Sequence, residues 1–281
     1  MFQSERFIAF LGLYSKTIRD KSRTLNYSKG GLRTAFFLLY IKLLRKILTA
    51  TANSFKIRLS FVKRVRESIT IENIIKAHAM RRVEIRRRLA DFAAIGMRGT
   101  DQTLWEEMVF CFFTGGCSAR MGLNALEAVK PILLTGDQTQ LARALAGVHR
   151  YPNARARYVV ASREFLREHC DLKLREKLHG FDCRFERRDW LVNEKGIKGL
   201  GYKEASHYLR NIGFTGYAIL DKHVLNCLAE LKIIDEPKPP NTRTRYLRVE
   251  EKLKKLTRRT QIDFDELDLV LWSMKTGVIL K

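Results

Sequence analysis

The chain has 281 residues, 46% of them hydrophobic, with 53 Lys and Arg against 30 Asp and Glu, a formal net charge of +23. That length and apolar share support one large domain or two small ones, and five prolines with 17 glycines exclude collagen-like and Pro/Gly-rich low-complexity chains. The lack of any run of about 18 uncharged apolar residues argues against a transmembrane helix, and the positive excess points to a polyanion, with nucleic acid the first candidate.

Residues 1–66 hold 15 Lys and Arg and 2 Asp and Glu, a net of +13, whereas residues 67–281 hold 38 and 28, a net of +10. In the first segment the run Ala35 to Ile41, followed by Lys42, Arg45 and Lys46, reads as a short basic amphipathic helix suited to a membrane surface or to DNA. It is too short to span a bilayer and lacks the cleavage pattern of a secretory signal. Residues 1–66 are therefore read as a basic extension of unassigned role, with disorder or a mis-chosen upstream start codon as the plain explanation.

From about Glu67 the apolar positions follow a helical period. Ile71, Ile74, Ile75, Ala79, Val83, Ile85, Leu89, Phe92 and Ile95 mark one helix, which Gly96 and Gly99 are expected to end. Thr100-Asp101 reads as a helix start leading through Trp105, Met108, Val109 and Phe112. Further helices are expected at Ala119–Val129, Gln138–Gly147, Ala154–Glu168, Leu172–Leu178, Arg187–Asn193, Lys203–Ile212, Asp221–Leu231, Arg243–Arg259 and Phe264–Met274. Gly, Pro and Asn separate them, no run of alternating strands appears, and the expected fold class is all-α with about nine to twelve helices.

The five cysteines, at 111, 117, 170, 183 and 227, form no CxxC pair and no Cys/His cluster. They signal neither a disulfide framework nor a zinc site, so reduced thiols in a cytosolic protein are the simplest reading.

The most informative stretch is Lys195-Gly196-Ile197-Lys198-Gly199-Leu200-Gly201-Tyr202-Lys203-Glu204-Ala205-Ser206. A helix, a tight Gly199-Leu200-Gly201 turn and a second helix let backbone approach another molecule closely and offer N–H groups to a phosphate. Such turns are also common between packed helices. Lys203 falls in the first turn of the second helix, where the positive end of the helix dipole disfavours a second positive charge and favours the neutral, nucleophilic amine. Asp221, 18 residues later in Leu220-Asp221-Lys222-His223-Val224, stands where a helix should start. An N-cap role and a catalytic role are both open to it. A solvated helix lysine is the ordinary alternative for Lys203.

The stretch from Lys195 to Val224 resembles the helix-hairpin-helix DNA glycosylase superfamily, in which a Gly-rich hairpin precedes a lysine and then an aspartate in an (I/V/L)-D-x-H context. The longer string from Gly199 to Asn211, the run Ala218 to His223 and the ending Leu267-Asp268-Leu269 … Leu271-Trp272-Ser273-Met274-Lys275-Thr276-Gly277 … Lys281 are similar to the archaeal and bacterial 8-oxoguanine DNA glycosylase/AP lyases of the second Ogg subfamily. The resemblance covers roughly residues 67–281. It implies a two-lobed helical fold with the active site in the cleft between lobes and the hairpin at about 189–212.

The resemblance also implies a mechanism. Oxidised guanine is flipped out of the duplex, Lys203 attacks C1′ to expel the base and form a Schiff base, and β-elimination breaks the strand. Asp221 orients or deprotonates the lysine and stabilises charge on the sugar. Trp272 stacks on the base and Lys281 lies at its polar edge. Gly199, Gly201 and Lys198 hold the DNA backbone, and Arg120, Arg155 and Arg157 are candidates for the opposite strand and phosphates. The chemistry requires no metal or cofactor. A monomer acting on double-stranded DNA in the cytoplasm, associated with the nucleoid of a prokaryote, is expected.

One departure concerns Thr114-Gly115-Gly116-Cys117, where related enzymes carry an Asn or Gln that fills the gap left by the flipped base; glycine cannot do so. No cysteine follows Cys227, so the iron–sulfur motif of endonuclease III-like relatives is missing. A glycosylase for another oxidised base, or a non-catalytic helix-hairpin-helix DNA-binding protein, are the competing readings. The second would not need Lys203 and Asp221 together.

Overall fold

Helical periodicity from Glu67 onward becomes eleven α-helices and one 3-10 turn among the described residues, with no strand between them. The structure is a computed structural model that describes residues 68–280. The amphipathic segment expected at 35–46 and the terminal Lys281 lie outside the described residues. In chain order the helices are α1 (Ile71–Arg98), α2 (Asp101–Thr114), α3 (Ala119–Val129), α4 (Gln138–Leu145), α5 (Pro152–Cys170), α6 (Leu174–His179), α7 (Arg184–Asn193), α8 (Tyr202–Asn211), α9 (Lys222–Glu230), α10 (Arg243–Thr260) and α11 (Phe264–Thr276). The 3-10 turn, Lys130–Ile132, forms around Pro131. No described helix is long and apolar enough to cross a membrane.

Side-chain caps place most of the starts. Thr70, Thr100, Ser118, Asp137, Asp221, Thr242 and Asp263 each accept a hydrogen bond from a first-turn N–H of the helix that follows. Each such cap contributes about 1 kcal/mol. The expected end of α1 holds at Gly99 and is corrected at Gly96. The helix runs through Gly96 to Arg98, and Gly99 is its C-cap. At Gly96 α1 meets the backbone of Ile212, and a Cβ there would overlap the Ile212 carbonyl, so close packing rather than a helix end accounts for this glycine.

The buried side chains form two clusters. The first gathers α2 to α8 around Trp105, Phe110, Phe112, Phe113, Leu126, Val159, Leu191 and Leu209. The second gathers the start of α1 with α9 to α11, around Ile74, Ile85, Leu225, Tyr246, Leu253, Leu267 and Val270. Burial of such side chains, about 1.5–3 kcal/mol each, is the dominant stabilising term.

α8 stands at the boundary of the two clusters. Ala205, Tyr208 and Leu209 enter the first cluster. Ser206 and Arg210 reach Tyr246 and Asp268, on helices of the second. Lys203 lies at the start of this boundary helix.

Candidate active site

The hairpin is built on α5. After α7 the chain runs from Glu194 to Gly201, with Ile197 and Leu200 buried in the first core. Successive residues on one face of α5 support it. Phe165 packs so closely on Gly196 that a Cβ there would overlap its ring. Ser162 Oγ accepts a hydrogen bond from the Lys198 backbone N–H at 2.8 Å. Tyr158 lies against Gly199, where a Cβ would come within 2.6 Å of Cδ2.

Gly199 has φ of 81°, so backbone conformation and lack of space both require glycine. Gly201 is extended, with φ −89° and ψ −176°, and occupies the N-cap position of α8 with no side chain to cap it. The first N–H groups of α8 therefore receive no side-chain cap from within the hairpin. The Lys198 side chain is exposed.

Lys203 is the second residue of α8. Its side chain is 25% exposed, and Nζ lies 2.9 Å from Glu204 Oε1. Glu204 folds back toward Gly201, with Oε2 3.3 Å from the position a Cβ would take there. Sequence reasoning did not single out Glu204, although an acidic residue three positions after an N-cap is a usual first-turn feature.

Asp221 caps α9, as its place in the sequence suggested. Its Oδ1 accepts from the N–H groups of His223 at 2.8 Å and Val224 at 2.9 Å, which leaves Oδ2 outside the cap. The preceding Tyr217 to Leu220 are buried, so the approach to the cap is fixed by the core. Two residues on, the His223 ring meets Trp272 edge-on, 6.3 Å between centroids at 89°. Burial pushes the His223 imidazole below its ordinary value, against the opposing pull of Asp221. The structure thus places His223 between Trp272, which its ring meets, and Asp221, which accepts from its backbone N–H. Nearby Cys227 is pushed up to about 12 by burial, which keeps its thiol protonated and out of nucleophilic chemistry.

A buried polar network, invisible in the sequence, keys the Lys203 helix to the Asp221 segment. Arg188 on α7 is 1% exposed, pairs with Glu250 on α10 at 2.6 Å, and donates to Ser206 Oγ at 3.1 Å. Its guanidinium sits over the rings of Tyr202, Tyr217 and Tyr246, 5.2 to 5.8 Å from their centroids. Tyr246 donates to the Ala218 carbonyl at 2.7 Å, accepts from the Leu220 N–H at 3.3 Å, and has its hydroxyl 3.4 Å from Ser206 Oγ. Burial raises the Tyr246 hydroxyl far above its ordinary value, so it stays a neutral donor. Ser206 is one turn beyond Lys203, and Leu220 directly precedes Asp221. A second pair, Arg210 to Asp268 at 2.9 Å, ties α8 to α11 one turn before Trp272. Burial pushes the Asp268 carboxyl up to about 6 despite that arginine.

The remaining residues read from sequence divide. Arg120 on α3 and Arg157 on α5 are exposed. Arg155 is engaged within the fold, donating to the Gly115 carbonyl with its guanidinium over the rings of Tyr151 at 5.9 Å and Tyr158 at 5.3 Å.

Comparison with known proteins matches this frame. The model of the 8-oxoguanine DNA glycosylase family, Ogg-HhH, covers residues 85–262, a span that includes Lys203 and Asp221 and stops short of Trp272. The chain is 41% identical over 198 residues to the 8-oxoguanine DNA glycosylase/AP lyase of Korarchaeum cryptofilum, covering 70% of this chain and 90% of that protein. The crystal structure of the 8-oxoguanine DNA glycosylase of Thermotoga maritima superimposes with a TM-score of 0.68 at 33% identity, covering 75% of this chain and 98% of that one. The Methanocaldococcus jannaschii 8-oxoguanine glycosylase/lyase in complex with 15mer DNA containing 8-oxoguanine superimposes with a TM-score of 0.67 at 30% identity, covering 74% and 99%.

Proposed function

The chain belongs to the Ogg-HhH family of 8-oxoguanine DNA glycosylases, and from that membership we propose that it is a bifunctional 8-oxoguanine DNA glycosylase/AP lyase acting on duplex DNA. The observation that carries the chemistry is the keyed pair of helix starts. Lys203 lies in the first turn of α8 and Asp221 caps α9, and the Ser206, Tyr246 and Leu220 contacts join the two carriers. A glycosylase needs such a link, because its nucleophile must be aimed at one carbon.

In this reading the oxidised guanine leaves the stack and enters the site. Lys203 Nζ, once it has given up a proton, bonds to C1′ as the C1′–N9 bond breaks, and the base departs with the bonding electrons and picks up a proton. The sugar ring opens to give a Schiff base between C1′ and Nζ. Loss of a proton from C2′ then expels the phosphate from C3′, breaking the strand on the 3′ side. Water hydrolyses the Schiff base and returns the free amine. Asp221, with Oδ2 outside its capping bonds, orients or deprotonates the lysine and stabilises positive charge developing on the sugar.

Trp272 and the terminal Lys281 read the base. The N–H groups at the start of α8, with Gly199, Gly201 and Lys198, hold a backbone phosphate, and Arg120 and Arg157 serve neighbouring phosphates. Residues 67–281 form the catalytic region, with 1–66 as a basic extension.

The test is borohydride trapping on an 8-oxoguanine duplex, with undamaged and thymine-glycol duplexes as controls. A covalent adduct is expected with 8-oxoguanine alone, and it is lost in Lys203→Gln while DNA binding persists. An adduct that survives in Lys203→Gln would remove the proposed nucleophile. Trapping on thymine glycol instead would reassign the substrate.

A further inference from the structure

Extruding a base leaves a hole in the stack, and closing it with protein offsets the cost of unstacking. The Thr114-Gly115-Gly116-Cys117 loop offers no long side chain at its tip. The side chain that stands there comes from another element. Tyr151, at the N-cap of α5, is 40% exposed, and its ring edge lies 3.9 Å from the position a Cβ would take on Gly116.

Its backbone is tethered and its ring is flanked by cations. The Tyr151 N–H donates to His149 Nδ1 at 3.0 Å, and His149 Nε2 in turn donates to the Phe113 carbonyl at 3.0 Å. Pro152 fixes the backbone of the next residue. The guanidinium groups of Arg150 and Arg155 lie 5.2 and 5.9 Å from the ring centroid. Arg155 also grips the Gly115 carbonyl, so loop and ring are fastened to one another. An exposed aromatic ring flanked by two cations suits a stack of bases bordered by phosphates.

α5 also sets its position against the chemistry. Tyr151, Arg155 and Tyr158 follow at four- and three-residue spacing on one face, and Tyr158 packs on Gly199 of the hairpin. Seven residues of helix span about 10 Å, roughly three base steps along a strand. One helix thus separates the exposed ring from the hairpin that precedes Lys203.

We propose that Tyr151 is the side chain that enters the duplex in place of the extruded base. This rests on the glycosylase reading above. Tyr151 is a binding and positioning residue that never touches the reacting atoms. Its role is to hold the neighbouring bases apart while the lesion occupies the site.

The experiment compares wild type, Tyr151→Ala and Tyr151→Phe in single-turnover base release from an 8-oxoguanine duplex at saturating protein. It is paired with borohydride trapping on a duplex carrying a pre-formed abasic site. Tyr151→Ala should slow base release at least about tenfold, with Tyr151→Phe restoring it to within about threefold, because stacking needs the ring and not the hydroxyl. Trapping at the abasic site should fall less than about threefold in Tyr151→Ala, since no base has to be unstacked there. Wild-type release by Tyr151→Ala overturns the proposal. So do equal losses on both substrates, which would assign Tyr151 to the fold alone. A wild-type chain that traps on no damaged duplex overturns the glycosylase reading and takes this inference with it, an outcome distinct from either of those.

Discussion

Two glycines of the hairpin look alike in sequence and carry different physical demands. Gly199 combines a φ of 81° with the Tyr158 ring 2.6 Å from a would-be Cβ. Gly201 has an ordinary extended backbone and meets only the end of Glu204 at 3.3 Å. Gly199→Ala is expected to cost about 2–4 kcal/mol, from left-handed strain plus overpacking, and Gly201→Ala less than about 1 kcal/mol. Urea denaturation of the two variants checks this, and equal midpoints would refute it. The GxG string could not separate them, because the difference lies in α5, some forty residues earlier in the chain. Asp221 was legible as a helix cap because a capped start is local chemistry, and Lys203 was legible as a first-turn residue, although α8 begins one position earlier than expected. Arg188 was not, since in Glu186-Arg187-Arg188-Asp189 it looks like part of a solvated face. Only folding shows that its partner is Glu250, 62 positions away.

Among elements, the quality of a helix start decided what could be read ahead of the structure. Ala119, Gln138, Arg243 and Phe264 open their helices as the sequence indicated, each after a Ser, Asp or Thr whose side chain caps the first turn. Where Tyr151, Lys173, Cys183 or Gly201 holds the cap position without a side-chain bond, the start lay one to three residues from the expected one. α5 is such a case, and its joint with α2 depends on a histidine. His149 accepts from Tyr151 at Nδ1 and donates to Phe113 at Nε2, an arrangement only the neutral ring can make. Burial, helped by Arg155, pushes this imidazole below its ordinary 6.5. Below pH 6.5 the unfolded chain binds a proton that the folded joint still refuses. The joint's stability is therefore present above that value and is lost as pH falls toward the folded one. His149→Gln should flatten the decline in melting temperature between about pH 7 and 5 relative to wild type. Parallel profiles for the two proteins would show that His149 is not the titrating joint.

For the whole molecule the question is how the charge divides. Residues 66–281 form one compact unit, and the family match lies wholly inside it. Residues 1–66 nevertheless carry +13 of the +23, more than the remaining three quarters of the chain. In the proposed function, chemistry at Lys203 would depend on aim, and the buried Arg188 contacts to Glu250 and Ser206, which join α7, α8 and α10, would supply it at short range. Affinity for a polyanion depends on counterion release, which any flexible or folded cation near the duplex can supply, with a log–log salt slope of about −0.9 per phosphate neutralised. The two properties should separate on truncation. A chain of residues 67–281 is expected to bind undamaged duplex more weakly and with a shallower salt slope than the full chain, and to give the same borohydride adduct on 8-oxoguanine at saturating protein. Fluorescence anisotropy across a salt series, beside single-turnover trapping, measures both. Equal slopes would place the extension's charge away from the duplex. An insoluble or inactive truncation would make those first residues part of the fold that aims the lysine.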